Sequence, residues 1–567
     1  MEKVEVKILL RNLLKRIKTQ DDGSHQLPGV LTDEEIEALR LAVELFGSQG
    51  GHHDPVHAPI QAPYADRPQV AQVPDQAGLK SRIELDLSSL TSPAPPKNAR
   101  LCLDFGTAMS KATLVKDGDD DDEEIHVLQL GVPGDQEDIS PVMLISSIFI
   151  DSEGKLWFGK AAVDRSMLEG SDGSRQRMDN IKRRLSEDGW DEEVGSRFNP
   201  IKDLRVTYGD MVLAYLMFMT WAVNNRLEEM GYPWNLTRRF AMPCLTGEKR
   251  RETVRRLGRC VGEAQVLADT FYKSMKDGLP LGDFIAAVEE LRRGPRKFDF
   301  VAEDITEPLG VAGAIMSWKK PVDMLMLVVD IGAGTSDLSL YRIHINMTEG
   351  NNTAIEFPDS AMVLTEAGNH LDQILIELIV SKSGITSADP MWVNVRGALQ
   401  LEIRNYKESL FNDGYLFVNL LSGAEVEINL EEFLRIESVR KFGENLRKAA
   451  TDILESVDQS WIKWILANPK RRLVVALTGG GAELPMVKEL AEGSLRVGEF
   501  NVPVARALRF PPWLSEIDSN LEDDFSRIAV SLGGARHRLI ERGPEVHITA
   551  GDGTQAPILE GYYTKGH

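Results

Sequence analysis

Two segments of this chain share one design, in which an apolar run ends in an aspartate and a glycine-containing turn leads into a second strand-like run. The first segment is ARLCLDFGTAMSKATLV, with Asp104, and the second is MLMLVVDIGAGTSDLSLYRI, with Asp330. Glycines let the backbone N–H groups of such a turn surround a phosphate, while the carboxylate faces a hydrated cation. The repeat predicts two similar half-domains that each hold one side of a phosphate group; a purely structural duplication is the alternative.

A third segment, RRLVVALTGGGAELPMVKEL, places three glycines between an apolar strand and a helix that begins near Pro485. Gly479, Gly480 and Gly481 carry no side chains, so a flat ring or a ribose could lie against the backbone there. Taken alone, a tight turn without function would explain the segment equally well. From residue 99 to about residue 540, short β-rich runs alternate with amphipathic helices, which predicts an α/β domain.

Together, and in this order, the three segments resemble the two phosphate motifs and the adenosine motif of the superfamily of actin, sugar kinases and DnaK-type heat-shock chaperones. The resemblance covers residues 99 to 540 and implies a duplicated, actin-like (ribonuclease H-like) α/β core of two lobes, with ATP or ADP and Mg²⁺ between them. It implies that Asp104 and Asp330 hold Mg²⁺ through water. The candidate nucleotide-binding residues are Gly106, Thr107, Ala108, Met109, Gly332, Ala333, Gly334, Thr335, Asp337, Gly368, Lys407, Gly479, Gly480 and Gly481.

Further segments resemble the DnaK-type chaperones within this superfamily. Over residues 238 to 262, a strand ends in proline and a basic helix follows, as it does in those chaperones. DITEPLGVAGAI is similar to a chaperone stretch that places Glu307 near the attacking water and the metal. LTEAGNHLDQILIELI is similar to a chaperone helix start at Gly368, and NYKESL resembles the adenosine-contacting helix, with Lys407 at its lysine. NIKRRL, at residues 180 to 185, also resembles a chaperone segment.

The chain departs from the chaperone pattern at two positions that matter for chemistry. Val163 stands where the chaperones carry a catalytic lysine, and Lys160 has the wrong spacing to replace it. Lys111 follows Asp104 as in the actin pattern Asp-x-Gly-x-x-x-x-Lys, so we expect it to supply the positive charge at the phosphates. Glu483 stands where the chaperones keep an arginine against adenine, which bears on nucleotide affinity.

The remaining segments complete the predicted domain organisation. Residues 1 to 48 are predicted to form a helical hairpin, because apolar residues recur at helical spacing on both sides of a turn. Residues 49 to 98 contain eight prolines and are predicted to be a linker, within which SRIELDLSSL alternates like a short strand. Residues 264 to 300 are an expected insertion that adds helix to the second half of the core. Residues 541 to 567 are an expected C-terminal tail, without room for a chaperone's peptide-binding domain.

Composition and charge restrict the partners. A net charge of -22 argues against nucleic-acid binding, which requires clustered Lys and Arg. Three cysteines are too few and too scattered for a disulfide framework or a thiolate zinc site, so we expect them to be buried. The longest uncharged apolar run, residues 211 to 225, is shorter than the roughly 20 residues of a membrane span. We therefore expect a cytoplasmic protein with a protein partner or client, which could bind at the N-terminal hairpin.

The leading hypothesis is a Mg²⁺-dependent ATPase that acts as a chaperone-like switch on this partner, with catalytic roles for Asp104, Lys111, Glu307 and Asp330. An actin-like filament-forming ATPase is an alternative that the lysine pattern favours and the chaperone-like segments oppose. A nucleotide-binding scaffold with little hydrolysis would fit the departures at Val163 and Glu483. A small-molecule kinase of the same fold would need a substrate pocket with a catalytic base, for which the sequence shows no distinct motif.

Overall fold

A computed structural model of the chain describes residues 83–119, 122–131, 139–185, 189–346 and 353–542, together with strands β1 (Lys18–Thr19) and β2 (His25–Gln26). β1 and β2 pair antiparallel within an N-terminal unit, residues 1–78, and the second compact unit contains the rest of the chain. The other residues of the predicted hairpin, most of the predicted linker and nearly all of the predicted C-terminal tail lie outside the described residues.

The stretch SRIELDLSSL was expected to form a short strand, and this expectation is wrong. Ile83, Leu85 and Leu87 pack against the core of the first half, but their segment has no sheet partner and continues into a one-turn helix, α1 (Ser88–Thr91). Apolar and polar side chains alternate in any extended segment that lies on a core, because successive side chains point to opposite sides. The alternation of apolar and polar residues therefore indicates burial on one side and not pairing with a neighbouring strand.

The first half of the core contains one main sheet and several helices. Its elements are β3 Ala99–Asp104, β4 Met109–Asp117, β5 Glu123–Val127, β6 Leu144–Ile145, β7 Ile148–Ile150, β8 Lys155–Phe158, α2 Gly159–Glu169, α3 Tyr208–Glu229, β9 Thr237–Met242, α4 Gly247–Thr270, β10 Leu279–Pro280, α5 Leu281–Leu291, β11 Val301–Thr306 and α6 Glu307–Ile315. The main sheet has the order β11-β9-β3-β4-β5, in which β3, β4 and β5 are antiparallel and β3, β9 and β11 are parallel. β10, β8 and β7 form a smaller sheet.

The second half follows the same plan. Its elements are β12 Val322–Ile331, β13 Ser336–Ile345, β14 Thr353–Glu356, β15 Met362–Leu364, α7 Gly368–Ser383, α8 Trp392–Asp413, β16 Tyr415–Asn419, β17 Glu425–Asn429, α9 Leu430–Leu434, α10 Glu437–Ser456, α11 Gln459–Leu466, β18 Leu473–Thr478, α12 Pro485–Lys488, β19 Ser494–Val497, β20 Phe500–Arg506, α13 Pro512–Ser515, α14 Phe525–Ala535 and β21 Glu541–Arg542. The five strands β20-β18-β12-β13-β14 repeat the order and the directions of the main sheet of the first half. The predicted mixed α/β architecture is confirmed.

Two helices pack against each other between the two sheets. α14 lies on β3, β4 and β9 of the first half, and α6 lies on β12 and β13 of the second half. A Cβ atom on Gly533 of α14 would overlap the carbonyl oxygen of Gly310 in α6, so the helices approach as closely as they do only because both positions are glycine. This helix pair joins the halves through a common apolar core.

The insertion at residues 264 to 300 forms helix as predicted, but it belongs to the other half. It contains the end of α4 and the whole of α5, and Phe284 and Leu291 of α5 are buried in the core of the first half. β10, just before α5, pairs with β8, which anchors the insertion to the first half. The three cysteines, Cys102, Cys244 and Cys260, are buried and free, as expected.

Candidate active site

The hairpin of β3 and β4 presents a carboxylate and an ammonium group side by side. Asp104 ends β3 and lies opposite Lys111 in the antiparallel register, and Nζ of Lys111 is 3.3 Å from Oδ2 of Asp104. A Cβ atom on Gly106 would overlap the carbonyl oxygen of Met109, so this tight turn requires glycine. The structure thus places Lys111 beside Asp104, the carboxylate that the sequence analysis expected to face a cation.

The hairpin of β12 and β13 repeats this arrangement with two carboxylates. Asp330 lies opposite Asp337 in the register, and the N–H of Gly332 donates to the carbonyl of Thr335 (3.0 Å) to close the turn between them. Oδ1 of Asp330 accepts a hydrogen bond from Oγ1 of Thr478 (2.8 Å) at the end of β18. Asp330 is therefore fixed from a neighbouring strand, with 5 % of its surface exposed.

Asp337 connects the two halves. Its Oδ1 accepts a hydrogen bond from the backbone N–H of Cys244 (2.6 Å), which follows β9 in the first half. Its Oδ2 has no hydrogen-bond partner among the described residues, although the side chain is fully buried. A buried carboxylate oxygen in this state is costly, and a ligand or ordered water would relieve the cost.

The two glycine turns meet face to face. A Cβ atom on Gly334, in the second turn, would lie 2.7 Å from Oγ1 of Thr107 in the first turn. A larger residue at position 334 would require the side chain of Thr107 to shift. The strand–aspartate–turn units of the two halves are thus brought into direct contact, with Asp104 and Asp330 at the strand ends beside them.

The third glycine turn lies against the second. Gly479 adopts a left-handed φ of 80°, and its Cβ position is 2.7 Å from Oδ1 of Asp330. The N–H of Gly481 donates to the carbonyl of Ile331 (3.0 Å). A Cβ on Gly480, by contrast, would meet no atom within 4 Å. Gly480 is therefore the member of the predicted adenosine-binding turn that faces open space.

Helices α7 and α8 bring the remaining predicted residues to the second turn. The N–H of Gly368 donates to the carbonyl of Gly332 (3.1 Å), which fixes the start of α7 on this turn. Nζ of Lys407, on α8, donates to the carbonyl of Gly368 (3.0 Å) and lies 2.7 Å from Oδ1 of Asp372. All three glycine turns, together with Gly368 and Lys407, thus form one connected region.

The sequence did not identify Lys182 as a site residue. It lies in the short 3₁₀ helix Ile181–Leu185, and its Nζ forms an ion pair with Oε1 of Glu307 at the start of α6. The NIKRRL segment offered only a weak signal, because Lys182, Arg183 and Arg184 are consecutive cations and the sequence does not show which one faces inward. Lys182 is buried, whereas Arg184 stacks on the ring of Tyr208.

The buried carboxylates of the site outnumber the lysines that pair with them. The four buried carboxylates are Asp104, Glu307, Asp330 and Asp337, and the two lysines beside them are Lys111 and Lys182. Burial, with the charges of Glu307 and Asp104, raises the pKa of Asp330 to about 7. Burial and the charge of Glu307 likewise raise the pKa of Asp337 well above its usual range. Burial disfavours charged Lys182, but Glu307, Asp104 and Asp337 outweigh burial and raise its pKa.

A cavity of about 330 Å³ opens beside these groups. Both glycine turns contribute to its wall through Thr107, Gly334 and Thr335. Lys182, Arg183 and Lys249 add positive charge, and the other lining residues are Leu185, Pro243, Leu245, Thr253, Val363 and Thr365. Backbone N–H groups and cations around one cavity favour an anion such as a phosphate group.

Contacts across the cleft join the Lys182 segment to the second half. Nδ2 of Asn369, at the start of α7, donates to Oδ1 of Asn180 (2.9 Å). A guanidinium N–H of Arg177 donates to the carbonyl of Leu401 on α8 (3.1 Å). These hydrogen bonds connect the segment before Lys182 to helices α7 and α8 of the second half.

The structure shows the surroundings of Lys160 and Glu483, at which the sequence departs from the chaperone pattern. Lys160 lies on α2, where its Nζ pairs with Asp164 at the surface, so it does not replace the missing lysine. The carboxylate of Glu483 accepts hydrogen bonds from Arg506 (2.6 Å) and Arg509 (2.8 Å). Two guanidinium groups thus lie beside the carboxylate of Glu483.

The donor set fits a hydrated Mg²⁺. Within the described ranges, no group of three or more His, Cys, Asp or Glu side chains is arranged to hold a metal ion. Mg²⁺ bound with a nucleotide usually keeps several waters and uses one or two carboxylates. Asp104 and Asp330, in a site with excess negative charge, suit that mode of binding, and Asp337 Oδ2 is an additional buried oxygen without a partner.

No protein-family model matches the chain, and no curated protein matches it significantly. Among the helices of the described part, none combines the length and the apolar character needed to cross a membrane. The function of the site is therefore inferred from its own geometry.

Proposed function

We propose that this chain binds ATP with Mg²⁺ between the halves of a duplicated actin-like core, and that it hydrolyses ATP as a chaperone-like switch acting on a protein partner in the cytoplasm. The observation that carries the proposal is the contact of Thr107 with Gly334, which joins two strand–aspartate–turn units of the same design. One such turn would be an ordinary structural feature. Two of them facing each other, beside a cavity with cationic walls, form a site for a polyphosphate.

In this proposal Asp104 and Asp330 would hold Mg²⁺ through its water molecules, and the ion would supply positive charge near the phosphates. The excess of carboxylates over lysines supports this role, because a divalent cation would compensate the buried negative charge. Binding of the cation would also favour ionised Asp330, whose pKa is raised in its absence. The turn N–H groups and Lys111 position the phosphates.

Glu307 is the group proposed to orient the attacking water. Its carboxylate lies at the start of α6, and the ammonium group of Lys182 pairs with it. This pairing fixes the orientation of the carboxylate, which a water-positioning residue needs. Lys182 also adds a positive charge to the cavity wall.

The switch would act through the two halves. The halves are joined by the α6–α14 helix pair and by a few hydrogen bonds at the mouth of the cleft. Loss of the terminal phosphate would weaken the contact between the turns and allow the halves to separate, as in other phosphate-sensing proteins. The changed surface would be read by a protein partner, for which the N-terminal hairpin is the proposed module.

A nucleotide-binding scaffold with little hydrolysis is a second candidate, and one observation favours it. Because Lys182 already occupies one oxygen of Glu307, that oxygen is less available to accept a hydrogen bond from an attacking water. The two candidates share the nucleotide site and differ only in turnover, so one assay separates them.

The test is steady-state hydrolysis of Mg·ATP by the full chain and by Asp330→Asn. Loss of this carboxylate should lower turnover by about tenfold or more, since it removes charge at the metal. Asp299→Asn, an exposed aspartate in the first half, is the matched control and should leave turnover unchanged. Equal turnover of the wild type and Asp330→Asn would refute the ATPase proposal, whereas tight binding without turnover in the wild type would support the scaffold.

A further inference from the structure

A small two-stranded sheet stands out on the surface of the second half. β16 and β17 pair antiparallel with each other, and in both strands buried and exposed side chains alternate. Leu416 and Val418 of β16 face the core, where α8 packs against this strand. Tyr415 and Phe417 point outward, with 67 % and 46 % of their surface exposed. Two partly exposed aromatic side chains thus lie on the outward face of one strand.

The same residues also present unpaired backbone groups. The N–H of Leu430 donates to the carbonyl of Gly414, and the N–H of Leu420 donates to that of Ala424. Because hydrogen-bonded pairs alternate along an antiparallel ladder, these two bonds show that Phe417 belongs to a pair without inter-strand bonds. Its N–H and C=O therefore point away from β17. Tyr415 and Asn419 also belong to pairs without inter-strand bonds, so their N–H and C=O groups point the same way. Within the described part of the chain, no other strand pairs with β16.

The two edges of this sheet differ in their protection. On β17 the outward-facing residues include Glu425 and Glu427, and α7 and α9 lie against this strand. Charged residues and covering helices are the usual means by which proteins prevent an edge from pairing with another chain. The outward-facing residues of β16 are uncharged: Tyr415, Phe417 and Asn419. This edge therefore lacks the charged residues that protect β17.

We propose that the β16 edge is a docking site for an extended segment of a partner protein, which adds to the sheet as a third strand. The partner segment would carry an apolar side chain over Phe417 and a Lys or Arg on the same face. Main-chain hydrogen bonds to Tyr415, Phe417 and Asn419 would give affinity, and the two side-chain contacts would give specificity.

The preference for a basic residue follows from the register. Glu427 lies directly across from Phe417, and Glu425 lies across from Asn419. A strand added beside β16 would be about 9–10 Å from β17, since neighbouring strands are about 4.8 Å apart. A Lys or Arg side chain pointing inward along that face spans much of this distance, whereas an acidic residue would be repelled. The surrounding chain, with a net charge of -22, favours the same sign of partner.

The test is fluorescence anisotropy with a labelled peptide, Ser-Lys-Ser-Phe-Ser-Val-Ser-Lys-Ser, titrated with the full chain in the absence of nucleotide. Its lysines and apolar residues occupy every second position, and lysine at both ends makes the probe tolerant of strand direction. Saturable binding is expected, with Kd raised about tenfold by Phe417→Lys and by Glu427→Lys. The version with Glu in place of both Lys should not bind.

Leu168→Lys is the matched control, because Leu168 is a 77 % exposed apolar residue of α2 in the other half. It should leave Kd unchanged. If Phe417→Lys fails to fold, Tyr415→Lys replaces it in the binding test, because Tyr415 is the more exposed of the two aromatic residues. Absence of saturable binding, or binding that all these variants leave unchanged, overturns the proposal. Self-association of the chain that Phe417→Lys abolishes also overturns it, since β16 would then be an interface between copies. None of these outcomes depends on the nucleotide site.

Discussion

The ammonium group of Lys182 forms a buried ion pair with the carboxylate of Glu307, although the two residues are 125 positions apart in the chain. Their side chains are only 8 % and 6 % exposed. The pair joins the 3₁₀ helix Ile181–Leu185 to Glu307, which is the first residue of α6. It therefore connects the wall of the cavity to the helix that packs between the two sheets.

Replacement of Lys182 by Met should destabilise the protein and lower ATP turnover. The change leaves Glu307 buried without its cation, and breaking such a pair costs about 3 kcal/mol or more. Urea unfolding would measure the loss of stability, and a hydrolysis assay would measure turnover. Lys182→Arg keeps the charge and should recover part of the stability.

Lys160→Met is the control for Lys182→Met, because Lys160 pairs with Asp164 at the surface of α2. Exposed pairs contribute about 0–1 kcal/mol, so this variant should be close to wild type. If Lys182→Met were as stable as Lys160→Met, the pair would not be buried and charged as described.

The contact between α6 and α14 predicts a strong effect of a single methyl group. Gly533→Ala would place a Cβ against the carbonyl oxygen of Gly310, and the helices would have to separate. Overpacking of this kind costs about 1–3 kcal/mol. Thermal or urea unfolding would measure the cost.

The control is Gly282→Ala, on the exposed face of α5, where a Cβ would meet no atom within 4 Å. Alanine favours helix over glycine, so this variant should be at least as stable as wild type. Equal stability of Gly533→Ala and Gly282→Ala would show that the two helices are not in close contact.

Asp269, on α4, predicts a pH dependence of stability. Burial raises its pKa from 3.8 to about 6, and nearby hydrogen bonds and the charge of Arg238 oppose the shift only in part. A carboxyl group whose pKa is higher in the folded state favours folding below its unfolded pKa. This contribution is lost as the pH rises through the folded pKa.

Between about pH 4 and pH 7 the wild type should therefore lose stability relative to Asp269→Asn. The shift corresponds to about 3 kcal/mol. Urea unfolding of both proteins across this range isolates the effect, because the other titrating groups are common to both. A constant difference between the two proteins would mean that Asp269 is not buried in its charged form.

The parts of the site that sequence could predict are those that local chemistry determines. A strand that ends in Asp104 or Asp330, followed by a glycine turn, has few alternative structures, because the turn needs a backbone without a Cβ. The helix predicted to begin near Pro485 begins there, since proline suits a first helical turn. The two segments form the antiparallel pairs β3–β4 and β12–β13 of the two sheets.

The parts that sequence could not predict depend on which segments meet in space. Lys182 was overlooked because its importance comes from Glu307, far along the chain. The insertion at 264 to 300 was assigned to the wrong half because its sequence gives helix but not the surface on which the helix packs. Around Leu85, the alternation of apolar and polar residues predicted a strand, but the segment is only buried on one side. Pairing with another strand depends on residues far along the chain, which local alternation does not show.

The most direct measurement of the central proposal is a calorimetric titration of the full chain with Mg·ATP, compared with Gly480→Val. Gly480 faces open space in the predicted adenosine turn, so valine there should leave folding unchanged and block the ligand. We predict one site per chain and an affinity lowered about tenfold or more by this variant. Gly294→Val, at another open glycine, should bind as the wild type does. Absence of saturable binding, or equal affinities of wild type and Gly480→Val, would contradict a nucleotide site at the three glycine turns.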